Sequence, residues 1–305
     1  MIEDIQYLTT EQLNTKTLNI DQLSTLEILQ LINKEDEKVA LAVRDAIPQI
    51  VLAVEKVAEQ FRKGGRLFYF GAGTSGRIGI LDASECPPTF GTDPKLVQGI
   101  IAGGQRAITD SIEGAEDNDQ MGEQDAANLH IGPSDVVVGI AASGRTPYVL
   151  GAMRQAKKSG AAVIGVCNNR DSLMNQFADI MIEAIVGPEV IMGSTRMKAG
   201  TAQKMILNMI TTVSMIKLGK VYGNLMVDLL PSNTKLKERA KRIIKLATNT
   251  TDEIAARLYD EAEGNVKLAI ISFLANVDCR TAEKLLQQTD GSVREAIQLG
   301  NSMKK

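Results

Sequence analysis

The sequence predicts an α/β fold, a parallel sheet covered by helices on both faces, followed by a small all-helical module. Three observations predict it. Five short apolar runs stand out: Leu67-Phe68-Tyr69-Phe70, Val97 to Ala102, Val136 to Ala141, Val163 to Val166 and Ile180 to Val186. Helical patterns such as Tyr148 to Lys158 separate several of them, and strands alternating with helices make a parallel sheet buried on both faces. The last 45 residues then change character, with short amphipathic pieces at Val266 to Leu274, Thr281 to Gln287 and Ser292 to Leu299.

In chain order, residues 1 to about 25 are polar and read as an irregular arm. From Thr25 to Phe61 the apolar spacing is helical, and Pro48 should start a new helix or kink this one. Arg196 to Leu218 is a methionine-rich helix whose Met197, Met205, Met209 and Met215 read as core filler. Another helix runs from about Asn233 to Tyr259, its basic stretch Lys235 to Lys245 forming a solvated face. Asp278 and Asp290-Gly291-Ser292 supply cap and turn chemistry to the C-terminal pieces. The expected division is an arm and helix over 1–55, an α/β domain over 56–225, a helical connector over 226–260 and a three-helix module over 261–305.

Composition narrows the function. The chain has 305 residues, 44% hydrophobic and 23% charged, enough to bury a sizeable core. A net charge of -3 argues against a nucleic-acid partner but leaves room for a small anionic ligand. Cys86, Cys167 and Cys279 are widely spaced, and with His130 as the single histidine a zinc site is hard to build. Such sparse cysteines suit a reducing compartment, and Met1-Ile2-Glu3-Asp4 lacks the basic start of a signal peptide. No apolar run of membrane-spanning length occurs, so a cytoplasmic protein with no metal and no cofactor is expected.

The first apolar run leads into Gly71-Ala72-Gly73-Thr74-Ser75-Gly76, which matches the dinucleotide pattern G-x-G-x-x-G. That pattern needs an acidic residue ending a second strand about 20 residues on. Here the interval holds Ser84-Glu85-Cys86-Pro87-Pro88-Thr89, read as helix-breaking, and Asp93 precedes the next apolar run. Thr74 and Ser75 with bare glycine amides at a helix start suit a phosphate monoester better. A second loop, Ala142-Ser143-Gly144-Arg145-Thr146-Pro147, repeats the design after the run Val136 to Ala141. In a parallel sheet both loops emerge at the carboxyl edge, where ligands bind.

Two acidic positions follow. Glu85 precedes two prolines, which predicts that it lies outside any helix interior. A carboxylate near a phosphate loop is electrostatically costly unless it is protonated or does chemistry. Glu113-Gly114-Ala115-Glu116-Asp117 reads from spacing alone as a solvated acidic helix, with Glu113 and Glu116 on one face.

Together these segments resemble a family. Gly71 to Arg77, Leu81-Asp82-Ala83-Ser84-Glu85-Cys86-Pro87-Pro88-Thr89, Glu113 to Asp117 and Gly139 to Tyr148 resemble the bacterial N-acetylmuramic acid 6-phosphate etherases. Gly193-Ser194-Thr195-Arg196-Met197-Lys198-Ala199-Gly200-Thr201 and Gly223 to Asp228 extend the resemblance over nearly the whole chain. It implies a sugar isomerase (SIS) type αβα sandwich, a homodimer, and a C-terminal module similar to ubiquitin-associated three-helix domains. It implies cleavage of the D-lactyl ether of N-acetylmuramate 6-phosphate, an amino-sugar phosphate, in cell-wall recycling. Glu85 matches the family's proton donor and Glu116 its second acid/base, taken as the base at C2. Gly73, Thr74, Ser75, Ser143, Gly144 and Thr146 are the expected substrate and phosphate contacts, with Ser194 and Lys198 beside them. An alkyl ether resists direct attack by water, whereas elimination next to an aldehyde needs only an ionised base and a proton donor. Placement beside Pro87-Pro88 should desolvate Glu85 and raise its pKa. A sugar-phosphate isomerase or a sugar-phosphate sensor remains the alternative.

Overall fold

The computed structural model describes residues 7–229 and 234–303, so Met1-Ile2-Glu3-Asp4 and the Asn233 helix start lie outside the described residues. These divide into two compact units: residues up to Ser84 together with Pro94–Thr211, and Glu85–Asp93 together with the residues from Thr212 on.

In the first unit, β1 (Leu67–Gly71), β2 (Val97–Ile101), β3 (Val136–Ile140), β4 (Ala162–Cys167) and β5 (Ile180–Glu183) form one sheet in the order β2-β1-β3-β4-β5. Every neighbouring pair is parallel. Strands β1 and β3 are buried along their whole length, which is why they read as unbroken apolar runs. Gly71 pairs with Ile140, so the loops leaving these central strands start side by side, where the strand order reverses.

The helices follow from local signals. Ser24 and Glu27 make a capping box that starts α1 (Thr25–Asp45). Pro48 sits in the first turn of α2 (Ile47–Arg62), where its missing N–H costs nothing, and so separates the two helices as expected. The arm before them holds only short 3-10 turns at Thr9–Glu11 and Ile20–Gln22.

Helix α3 (Gly73–Phe90) corrects the reading of Glu85, which lies within it. Pro87 and Pro88 occupy its last turn, where only the bonds to the carbonyls of Ala83 and Ser84 are lost and the helix is about to end. Gly91, at φ 61°, then closes it by donating its N–H to the Pro87 carbonyl at 2.9 Å. Asp82 of α3 is buried and accepts from Tyr69 of β1 at 2.8 Å. Asn208 and Thr211 of α6 (Lys198–Lys217) donate to its other oxygen at 2.6 and 3.1 Å, although burial still pushes the carboxyl pKa up.

Helices α4 (Asp119–Asn128) and α5 (Pro147–Lys158) pack backbone to backbone. A Cβ on Gly122 would stand 1.9 Å from the Tyr148 carbonyl oxygen, and one on Gly151 would stand 2.0 Å from that of Asp119. Alanine within a helix ordinarily gains about 0.5–1 kcal/mol over glycine. Here we expect Gly122→Ala and Gly151→Ala each to lose about 1–3 kcal/mol through overpacking. Gly132→Ala, with nothing within 4 Å, is the neutral control. Chemical denaturation of the three variants checks this, and equal midpoints would show that the helix pair gives way.

The second unit holds a hairpin of β6 (Val221–Tyr222) and β7 (Leu225–Met226) and the remaining helices. The single helix expected to Tyr259 is two, α7 (Thr234–Thr248) and α8 (Asp252–Glu261). Asn249, at φ 52°, turns the chain out of α7, and the Thr251 side chain caps α8. Three helices follow, α9 (Val266–Leu274), α10 (Cys279–Gln288) and α11 (Val293–Ser302), capped by Asn265, Asp278 and Ser292. Their apolar faces, including Ile270, Leu285 and Val293, join Ile244 and Leu258 in one core. Lys267, almost fully buried, pairs with Asp228 at 2.8 Å and donates to the Gly291 carbonyl at 3.2 Å. Among the described residues no helix is long and apolar enough to cross a membrane.

Candidate active site

A cleft of about 420 Å³ lies at the carboxyl ends of β1 and β3, within the size range of small-molecule sites. The sequence loop after β1 is Ala72 alone, so Gly73, Thr74 and Ser75 reach the cleft from the first turn of α3; the loop after β3 gives Ser143, Arg145 and Thr146. Glu116 and Asp117 line it from the turn before α4, Leu8 and Glu11 from the N-terminal arm, and Gly193 and Thr195 from the segment before α6.

Two helix N-termini belong to these loops. Neither α3 nor α5 has an acidic residue in its first turn, so their orphan N–H groups keep a positive field. Thr146 is the N-cap of α5, yet its hydroxyl makes no cap bond and is left for a ligand. The glycine fingerprint serves packing: a Cβ on Gly76 would stand 2.6 Å from Ile101 and 2.8 Å from the Gly71 carbonyl. Strand β2 ends at Ile101 and runs on into Ala102-Gly103, without the acidic residue that a dinucleotide ribose requires.

The hydroxyls of the two loops have different polarity. Ser143 Oγ accepts from the Arg145 N–H at 3.2 Å, which leaves its own proton for a ligand. Ser75 Oγ donates to Gln203 Oε1 at 2.8 Å, Gln203 Nε2 donates to Asn168 Oδ1 at 3.1 Å, and Asn168 Nδ2 donates to the Ala184 carbonyl at 2.9 Å. A carbonyl can only accept, so this end fixes the direction of the whole chain. Ser75 therefore turns lone pairs, not a proton, toward the cleft.

Glu116 is exposed, as the solvated reading expected, but the segment is not the helix expected. Gly114 is left-handed at φ 71° and breaks the segment, and Ala115–Asp117 forms a single 3-10 turn. Asn118 then caps α4 by accepting from Met121 N–H at 2.9 Å. Arg77 braces the approach, donating to the carbonyls of Ile108 and Asp110 at 2.9 and 2.8 Å. A side cavity of about 250 Å³, lined by Arg77, Glu113 and Glu116, shares Ala72 and Gly73 with the cleft.

Of the residues named from sequence, Gly73, Thr74, Ser75, Glu116, Ser143 and Thr146 line the cleft, and Glu85, Gly144, Ser194 and Lys198 do not. Glu85 is exposed on α3, so the desolvation expected from Pro87-Pro88 is absent within this chain. Gly144 is buried in its turn at φ 68°. Thr195 lines the cleft where Ser194 was expected. Lys198 is 0% exposed, its Nζ donating to Glu35 Oε2 at 2.9 Å. The start of α6 is occupied by Glu189, which accepts from the Lys198 and Ala199 N–H groups at 3.0 and 2.9 Å. Glu11 and Asp117 went unnamed, since neither periodicity nor spacing sets a single acid in a polar stretch apart. A larger hollow of about 690 Å³ is lined by Asp45, Asp171, Asp179 and Glu183, which would repel a phosphate.

Comparison with known proteins agrees with this architecture. The family described as the glucokinase regulatory protein N-terminal SIS domain matches residues 49–157, and the SIS domain matches residues 116–213. An N-acetylmuramic acid 6-phosphate etherase of Caldanaerobacter subterraneus is 56% identical over 97% of this chain and 96% of its own. Its counterpart in Clostridium acetobutylicum is 56% identical over 99% of this chain and 100% of its own. That of Glaesserella parasuis is 55% identical over 96% of both chains. With that identity sustained over nearly the full length, the chain belongs to the N-acetylmuramic acid 6-phosphate etherase family.

Proposed function

We propose that this protein cleaves the D-lactyl ether of N-acetylmuramate 6-phosphate, giving N-acetylglucosamine 6-phosphate and D-lactate. The observation that carries this reading is one cleft holding both hydroxyl loops and Glu116, in a chain more than half identical to etherases end to end. The phosphate rests on the amides that open α3 and α5, with the Ser143 and Thr146 hydroxyls and the Arg145 side chain beside it. The open-chain sugar then presents C2, whose proton the neighbouring aldehyde acidifies. Glu116 takes that proton, the electron pair forms the C2–C3 double bond, and the C3–oxygen bond breaks. A proton donor converts the departing lactate alkoxide to the alcohol. Water then adds its oxygen to C3 while C2 regains a proton.

Glu85 takes the donor role on the strength of the resemblance. Because it does not line the cleft of its own chain, it would reach the substrate from a second copy, in keeping with a homodimer. The reaction belongs to the recycling of cell-wall amino sugar in the cytoplasm.

Mixing the protein with N-acetylmuramate 6-phosphate, with and without EDTA, and assaying D-lactate tests the reading. Lactate release in both mixtures, with deuterium at C2 of the product in heavy water, is expected. Interconversion of sugar phosphates without lactate would point to an isomerase instead, and binding without turnover to a sensor.

A further inference from the structure

The N-terminal arm looks featureless in sequence, yet it is pinned along the first unit by polar side chains. Asn169 Nδ2 donates to Thr10 Oγ1 at 3.0 Å and also to the carbonyl of Ala142, in the loop after β3, at 3.0 Å. Asn14 Nδ2 reaches Glu35 Oε2 at 3.1 Å and the Pro188 carbonyl at 3.3 Å, and Thr17 Oγ1 donates to the Val190 carbonyl at 2.9 Å. Each of these side chains turns inward and is used up in holding the arm.

Glu11 does the opposite. It is half-buried, it lines the cleft, and a Cβ on Gly193, another cleft residue, would stand 4.0 Å from its Oε2. Among the described residues its carboxylate has no hydrogen-bond or ion-pair partner, whereas the buried acids Glu35, Glu189 and Asp135 are each paired. A carboxylate withdrawn from part of its water and given no donor is costly to keep, unless a ligand brings the donor. An ionised carboxylate can only accept, so it cannot hold an anionic phosphate. What it can hold is a neutral donor, a hydroxyl or amide N–H.

We propose that Glu11 is a substrate-contacting residue that accepts a hydrogen bond from a sugar hydroxyl or from the acetamido N–H. The pinned arm is thus the wall by which the cleft tells a sugar phosphate from bare phosphate. This rests on the preceding reading only in taking an amino-sugar phosphate as the ligand.

The test is calorimetric titration of the full chain, Glu11→Leu and Glu11→Gln with N-acetylglucosamine 6-phosphate and, separately, with inorganic phosphate. Loss of a hydrogen bond to a charged group predicts that Glu11→Leu binds the sugar phosphate roughly 10- to 100-fold more weakly. Phosphate binding stays within about twofold, and Glu11→Gln, which keeps an accepting oxygen, loses less. Unchanged sugar-phosphate affinity in Glu11→Leu would overturn the proposal, as would an equal loss for both ligands, the mark of a collapsed wall. So would variants that bind normally while both lose lactate release alike, since that is proton transfer rather than acceptance. The readout is binding, so a parent chain that releases no lactate fails the etherase reading while the Glu11 assignment is still decided. A parent that binds neither ligand overturns both.

Discussion

Replacing Glu116 by glutamine is expected to cut D-lactate release by about 10²- to 10⁴-fold, the usual worth of a general base. The substitution keeps the shape of the side chain and removes only its ability to take a proton. Glu116 is exposed on its 3-10 turn and holds no partner among the described residues, so nothing in the fold depends on its charge. The variant should unfold at the parent's midpoint and still bind N-acetylglucosamine 6-phosphate. It should also fail to exchange the C2 proton of that sugar in heavy water, which isolates the base step from departure of lactate. Exchange and lactate release within tenfold of the parent would remove Glu116 from the mechanism.

The second large effect concerns stability. Lys198 and Glu35 are 0% and 1% exposed, and Glu35 also pairs with Lys38. Burial alone would push the Glu35 carboxyl up, but hydrogen bonds from Lys198, Lys38 and Asn14 outweigh it, and its pKa falls from 4.5 to about 2. Lys198→Met leaves that carboxylate buried without its main partner and should cost about 3–5 kcal/mol. Replacing both partners, as Glu35→Leu with Lys198→Met, should recover most of the loss, since an apolar pair needs no compensation. The sign with pH follows from a depressed folded-state value. The pair's contribution is complete above the unfolded value of 4.5 and is lost as pH falls through about 2. Denaturant midpoints at pH 7 and pH 3 check this, and the doubly substituted chain should lack that part of the acid sensitivity. Were Lys198 a phosphate ligand, Lys198→Met would lose affinity and keep its midpoint.

The sheet and most helices were legible because burial on both faces writes itself as apolar runs, and because Ser24 and Pro48 act through local rules. The etherase motifs were equally plain, since each is a run of particular residues that the spacing of a helix or strand does not require, even where, as from Gly73 to Thr89, the run lies in a helix. What local rules missed were competitions settled elsewhere. Pro87 and Pro88 look like helix breakers until it is known that the helix ends at Phe90, where their missing bonds matter least. Lys198 looks like an anion ligand until Glu35, far away in sequence, is folded against it. Glu11 carries no signal of its own, because what distinguishes it is the absence of a partner among the described residues in a pinned segment.

The two glycine contacts between α4 and α5 have a meaning beyond stability. The turn carrying Glu116 runs into α4, and α5 begins at Thr146, one of the anchors proposed for phosphate. With Gly122 seated against Tyr148 and Gly151 against Asp119, the close backbone contact opposes sliding of one helix along the other. The helix pair is thus a ruler whose two marks are the proposed base and the proposed phosphate anchor. On that assignment it would measure the carbon chain between a sugar's acidic C–H and its phosphate, and a shorter or longer sugar would present the wrong carbon to the carboxylate.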